Sequence, residues 1–249
     1  MNILQLSDLH ILASAEAMVN GVQPIKCLQS VWSDIKLRFN INTINLIVLS
    51  GDLSQDNSSA SYQHIVDLMH DYPGELIYLP GNHDDYLLMQ QIFSQAGRPA
   101  KRLFADQDWL LIGLNSQLPG KQYGHIDAVE LAWLETCLAK YSNRKVIIFL
   151  HHQLLKINSY WLDRIRLKNF KKLLNVIDAH ANIQAVINGH VHQVNTQWRR
   201  GVNYMSSPST SYQFMPNSQC YKIDNRPPGY RFLQCTDRLN SEVYYLQTK

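Results

Sequence analysis

Short apolar runs recur along the chain, and each stops abruptly in polar residues. Residues 2–7 alternate and then give Ser7-Asp8-Leu9-His10, which predicts a strand with polar side chains at its C-terminal end. Residues 46–50 and 76–79 are continuously apolar, the pattern of strands buried on both faces. The first is followed by Gly51-Asp52, the second by Pro80-Gly81-Asn82-His83-Asp84. Residues 109–115, 146–150 and 185–187 repeat the theme; the last two end in His151-His152 and in Asn188-Gly189-His190-Val191-His192. Between these runs the apolar spacing becomes helical. It predicts helices over 25–39 (Ile25, Leu28, Val31, Trp32, Ile35, Phe39), 58–70, 85–95, from Asp127 as N-cap to Ala139, and 166–179.

Alternating strands and helices argue for an α/β layered domain with its helices outside. After residue 192 short strands and turns prevail, broken by Pro208, Pro216, Pro227 and Pro228. This tail is expected to complete the second of two packed sheets. No repeat, low-complexity stretch or linker interrupts the 249 residues, so a single domain over 1–249 is expected.

Composition is that of a soluble globular chain, 45% hydrophobic and 17% charged. The formal charge of +3 suits an anionic substrate, but Arg199-Arg200 and Lys171-Lys172 are too short to be a nucleic-acid arm. No secretory n-region or membrane-length apolar run is visible. The cysteines (27, 137, 220, 235) have neither CxxC spacing nor the density of a disulfide framework; Cys27 and Cys137 read as buried thiols, and a Cys220–Cys235 bridge is the lesser option. A cytoplasmic protein with a small-molecule partner, and with neither nucleic acid nor membrane, is expected. Oligomeric state is not legible.

The candidate chemistry lies where the strands end. Asp8 and His10 follow the first strand, Asp52 the second, Asn82 and His83 the third, His151 a later one, and His190 and His192 the last. In open α/β sheets, ligands bind beyond the carboxyl ends of the strands. Carboxylate, amide oxygen and imidazole suit Mn, Fe or Zn, and no thiolate favours a structural zinc. Even seven such donors exceed the needs of one small cation. With a bridging carboxylate they suit two, about 3.5–4 Å apart, which can hold a hydroxide and clamp a phosphoryl group. Glycines 51, 81 and 189 let the backbone turn after each strand without a Cβ in the way. Taken singly, each motif has an ordinary reading. Asp8/His10 is a cap or loop pair, Gly51-Asp52 a turn, Gly81–Asp84 a turn and cap, and His190/His192 two structural histidines side by side on an extended segment. Their joint order after buried strands is what points to a metal site.

That order resembles the calcineurin-like metallophosphoesterases, and more closely the bacterial class III cyclic-AMP phosphodiesterases. The likeness extends to residues 50–56 with the helix after them, Leu79-Pro80-Gly81-Asn82-His83-Asp84, Trp161-Leu162-Asp163, residues 208–214 and Pro228-Gly229-Tyr230-Arg231. It implies a metallophosphoesterase-type sandwich of two mixed sheets flanked by helices, four layers in the order α/β/β/α. It also implies two divalent metal ions, Fe or Mn first, with Zn or others as alternatives. By resemblance Asp8, His10 and His192 hold the first metal, Asp52 bridges, and Asn82, His151 and His190 complete the second. Asn82 and His83 would face the substrate, and His83 would be the catalytic residue that assists the leaving oxygen. The family often has a proline soon after its fourth-motif histidine, whereas this chain runs His151-His152-Gln153-Leu154. His151 is taken as the ligand because it comes first after the strand.

The implied reaction is hydrolysis of 3′,5′-cyclic AMP to 5′-AMP by a hydroxide that two metals activate. The alternatives are another diester, such as a 2′,3′-cyclic nucleotide or nucleic acid, and a non-catalytic interaction scaffold on the same fold. Scaffolds tend to lose ligands, and none is missing here. Base contacts have no readable motif; Asn115, Tyr123, His125 and Tyr212 are loop candidates for which surface or packing roles are the ordinary alternative.

Overall fold

In a computed structural model, which describes residues 1–247, the apolar runs pair into two sheets that pack face to face. The chain runs β1 (Asn2–Leu6), α1 (Pro24–Arg38), β2 (Leu46–Ser50), α2 (Ser59–Leu68), β3 (Glu75–Leu79), α3 (Tyr86–Gln95), β4 (Leu103–Ala105) and β5 (Trp109–Gly113). It continues through α4 (Ala128–Lys140), β6 (Lys145–Leu150), α5 (Tyr160–Asp163), α6 (Phe170–Asp178), β7 (Ile183–Asn188), β8 (Asn195–Arg199) and β9 (Val202–Ser206). The tail adds β10 (Gln213–Phe214), β11 (Ile223–Asp224), β12 (Gly229–Cys235) and β13 (Leu239–Tyr245).

One sheet has the order β13-β12-β1-β2-β3, the other β4-β5-β6-β7-β9-β8. Both are mixed: β1-β2-β3 and β5-β6-β7-β9 are parallel, and the remaining partners are antiparallel. The parallel strands lack an alternating pattern because both of their faces are buried. Ile3, Leu46, Val48 and Ile77 meet Leu111, Ile147, Phe149 and Ile187 between the sheets. Their neighbours Leu4, Ile47, Leu49 and Tyr78 face Leu28, Trp32, Ile65 and Phe93 of α1–α3. On the far side Leu110, Val146, Ile148 and Val186 face Leu134, Leu138, Leu173 and Ile177 of α4 and α6. The result is the expected four-layer α/β/β/α stack. Each such side chain, buried to near-zero exposure, contributes roughly 1.5–3 kcal/mol.

Helix starts follow local chemistry. Ser58 accepts from Ser61 N–H, Asp85 from Leu88 N–H, and Asp127 from Glu130 N–H, each cap contributing about 1 kcal/mol. The helix expected over 166–179 is shorter, Phe170–Asp178, because Leu167 ahead of it is buried and its N–H donates to Gln153 O (3.1 Å).

The tail departs from expectation. Only β8 and β9 extend the second sheet; β12 returns to pair antiparallel with β1, with β13 outside it. Leu233 and Cys235 there complete the apolar layer beside Ile3. All four cysteines, which lie among the described residues, are free thiols. Among the described residues no helix is long and apolar enough to cross a membrane.

Candidate metal centre

The loops after β1, β2, β3, β6 and β7 meet at one edge of the sandwich, and their donor atoms converge. Asp8, His10 and His192 offer atoms within 4.8 Å of one another, as do Asp8, Asp52 and His151, and His151, His152 and His190. Asp52 Oδ2 lies 3.3 Å from His151 Nε2 and 3.9 Å from His10 Nε2, so this carboxylate touches both sides of the cluster. Asp8 Oδ1 is 3.4 Å from His192 Nε2. All these side chains are buried.

The backbone is shaped for the purpose. Asp8, His10, Asp52, His190 and His192 have φ between 45° and 66°, the left-handed region that costs a non-glycine residue about 1–3 kcal/mol. Tertiary bonds hold them there. Asp8 N–H donates to Gly51 O (3.0 Å), His10 N–H to Asp52 O (2.9 Å) and His190 N–H to the Asp8 carboxylate (3.0 Å). Gly189–His192 is therefore not the extended segment expected. Its two histidines diverge, His192 toward Asp8 and His10, His190 toward His151 and His152. Two glycines are explained differently. Gly51 needs its φ of 97°, whereas a Cβ at Gly81 would sit 2.1 Å from Asp52 Oδ1 and 2.3 Å from Asp52 N.

The second ring nitrogens decide the tautomers. His10 Nδ1 donates to Gln55 Oε1 (2.7 Å), His192 Nδ1 to Tyr212 O (2.7 Å) and His151 Nδ1 to Ser50 O (2.9 Å). A neutral imidazole bound in this way turns a bare Nε2 lone pair to the cluster. His10 Nε2 and His192 Nε2 lie 3.2 Å apart, two such lone pairs facing each other. Burial, opposed by Asp52, pushes His10 down to about 3, so a proton does not resolve the clash near neutral pH. Asn82 Oδ1, His152 Nε2 and His190 Nε2 are buried with no hydrogen-bond partner, and His151 Nε2 has only the Asp52 carboxylate 3.3 Å away. Orphaned acceptors in that number are costly unless a cation shares them. The residues fit a pair of cations.

Electrostatics agree. Burial works against a charge on Asp52, but His151, His83 and His10 outweigh it and hold the carboxyl well below its usual range. Burial likewise opposes a charge on His151, and Asp52 overrides it, pushing the imidazole up to about 9. The lone pair that takes this proton is the one a metal ion would use.

Asp84 was not singled out in the sequence. It accepts from Gly81 N–H (2.8 Å), Ser54 N–H (2.9 Å), Leu53 N–H (3.1 Å) and the Tyr62 hydroxyl (3.2 Å), tying the loops after β2 and β3 together. Burial and the Asp52 charge push it up to about 6. Gln55 and the carbonyls of Ser50 and Tyr212, which orient the histidines, were equally unsignalled. His152 is buried with Nδ1 2.9 Å from Ser116 Oγ, and it shares a donor cluster with His151 and His190.

His83 is half-buried; its N–H donates to Asp52 Oδ1 (2.8 Å), and its ring meets His10 edge-on at 5.1 Å. A ring nitrogen also comes within reach of His10 and Asp52. The centre opens into a cavity of about 760 Å³ lined by Asn82, His83, Trp161, Arg164, Tyr212 and Tyr221, among others. Of the loop candidates for base contact, Tyr212 lines it; Asn115, Tyr123 and His125 lie outside it.

The family model described as "Calcineurin-like phosphoesterase" matches residues 1–194. A 3′,5′-cyclic-nucleotide phosphodiesterase of Nostoc sp. is 33% identical over 94% of this chain and 87% of its own length. The 3′,5′-cyclic adenosine monophosphate phosphodiesterase CpdA of Escherichia coli is 34% identical over 99% of this chain and 90% of its own. Among solved structures, a dimetal phosphatase from Danio rerio superposes with a TM-score of 0.68 at 12% identity, covering 96% of this chain and 95% of that one.

Proposed function

The chain belongs to the calcineurin-like phosphoesterases, and from that premise we propose that it hydrolyses 3′,5′-cyclic AMP to 5′-AMP at a two-metal centre. The observation that carries the reading is the set of buried, partnerless Nε2 and Oδ1 atoms gathered around the Asp52 carboxylate. Full-length similarity to enzymes named for cyclic nucleotides favours this substrate over other diesters. In this assignment Asp8, His10 and His192 would hold one cation, Asn82, His151 and His190 the other, and Asp52 both. His151 is preferred to His152 because it faces the Asp52 carboxylate directly.

When bound, two divalent ions supply positive charge against the phosphodiester and a water acidified for attack near neutral pH. The chain's own residues do the remaining work. Gln55, Ser50 O and Tyr212 O fix the imidazoles, so that little reorganisation is needed in the reaction. Asp84 keeps the Gly81–His83 turn against Asp52. His83, which lines the cavity, would hand a proton to the leaving 3′-oxygen. We also read residues 1–249 as one domain, a reading supported by the return of β12 to β1. The free thiols fit the cytoplasm.

Because the donors are oxygen and imidazole, chelation is expected to abolish cyclic AMP turnover, and Mn²⁺ or a similar ion to restore it. Rates measured before chelation, after it and after reconstitution check this. Full turnover by rigorously metal-free protein would contradict the two-metal reading.

A further inference from the structure

The cavity beside the metal centre has one aromatic wall, and it begins at the proposed ligands. The Phe214 ring stacks on His192 at 4.1 Å and 21°. Tyr212 lies 5.2 Å from His10. Trp161 and Tyr221 extend the wall outward, each meeting Phe214 edge-on at 4.9 Å and 5.3 Å, and each other at 5.3 Å. Tyr212 and Phe214 are buried beneath, whereas Tyr221 is 51% exposed although it lines the cavity. Trp161 Nε1 is buried and without an acceptor.

Against these rings packs a rigid tip. Val19 and Val22 exchange both backbone hydrogen bonds (2.9 and 3.0 Å), and Asn20 and Gly21 between them have φ of 50° and 82°. This is a two-residue hairpin turn of type I′, a conformation held by local geometry. It sets Asn20 at the cavity wall, beside the hydroxyls of Tyr212 and Tyr221.

Resting on the nucleotide reading above, we propose that Tyr221, Trp161 and Asn20 form a nucleobase subsite. A phosphate held among His10, Asn82 and His192 leaves the attached sugar and base little freedom. A planar base reaching along the wall meets the exposed Tyr221 ring and the Trp161 edge. Stacking supplies affinity for any base, because every base has a π-face. Asn20, with both donor and acceptor on its amide, reads the base edge. Arg164 and Lys168 also line the cavity, which suits an anion entering it. A wall that served only to pack would have no use for a half-exposed tyrosine at its outer end.

The test is calorimetric binding to Mn²⁺-loaded protein of two probes, 5′-AMP and ribose 5-phosphate. They share the phosphate and sugar and differ in the base. The wild type is expected to bind 5′-AMP about tenfold more tightly or better, in keeping with base–aromatic stacking energies. Tyr221→Ala is expected to weaken 5′-AMP by about tenfold and leave ribose 5-phosphate unchanged; Tyr221→Phe, which keeps the ring, should behave as wild type. Trp161→Ala, which removes the ring behind Tyr221, should likewise weaken 5′-AMP alone. Equal affinity of the wild type for both probes, or equal loss of both in Tyr221→Ala, would overturn the subsite while leaving the phosphodiesterase reading intact. Failure of both probes to bind would overturn the nucleotide reading, and the subsite with it.

Discussion

Asp52→Asn is expected to release at least one metal ion and to lower turnover of cyclic AMP by about 10³-fold or more, the scale set by the water acidification that two metals provide. The substitution keeps shape. The amide oxygen can still accept the His83 N–H that Asp52 Oδ1 accepts at 2.8 Å. What it removes is a full negative charge between two donor clusters, 3.3 Å from His151 Nε2 and 3.9 Å from His10 Nε2. In a buried site that charge has no substitute in solvent, because the side chain is about 2% exposed. Among the described residues the carboxylates that act on it are Asp8 and Asp84. Asp8 is already engaged by His190 N–H, and Asp84 is spent on the loop amides. Elemental analysis and rate measurement on the same preparation check the prediction. Two metals per chain together with near-normal turnover would contradict the bridging assignment.

The second large effect separates leaving-group assistance from metal binding. His83→Ala is expected to keep its metals and to lose about 10²–10⁴-fold in kcat on cyclic AMP, the usual range for general acid catalysis. On bis-p-nitrophenyl phosphate the loss should be far smaller, because a nitrophenolate leaves without a proton. The ribose 3′-oxygen is much more basic and needs one. The difference between the substrates carries the information, since damage to fold or metal content would lower both rates together. His83 also comes within reach of His10 and Asp52, so a ligand role is a real competitor. Equal loss on both substrates, or a parallel loss of metal, would assign His83 to the metal shell or to structure and not to the leaving group.

Much of the fold was legible because the core strands are buried on both faces. Residues 46–50 and 146–150 read as strands by apolar continuity alone, and their polar ends marked the site edge before any geometry was known. The destination of the tail was not legible. Residues 229–235 are rich enough in apolar residues for a strand, but nothing in them distinguishes pairing with β1 from pairing with β9; that choice depends on contacts more than two hundred residues apart. At the site, residue types and order pointed to the donors, whereas their conformations were hidden. His190-x-His192 looks extended from its spacing, yet left-handed backbone sends the two rings to different clusters. Asp84 hid behind an ordinary cap reading. Asp85 is the cap, and Asp84 turns inward to brace two loops. The aromatic wall was equally hidden, because Trp161, Phe214 and Tyr221 sit on separate segments with no shared period.

The central claim is tested most directly by the initial rates and products of a substrate panel on the Mn²⁺-reconstituted protein. The panel is 3′,5′-cyclic AMP, 3′,5′-cyclic GMP, 2′,3′-cyclic AMP and bis-p-nitrophenyl phosphate. The account predicts that 3′,5′-cyclic AMP is hydrolysed and that its sole product is 5′-AMP. Turnover of the aryl diester or of 2′,3′-cyclic AMP with none of 3′,5′-cyclic AMP, or 3′-AMP as the product, would contradict it.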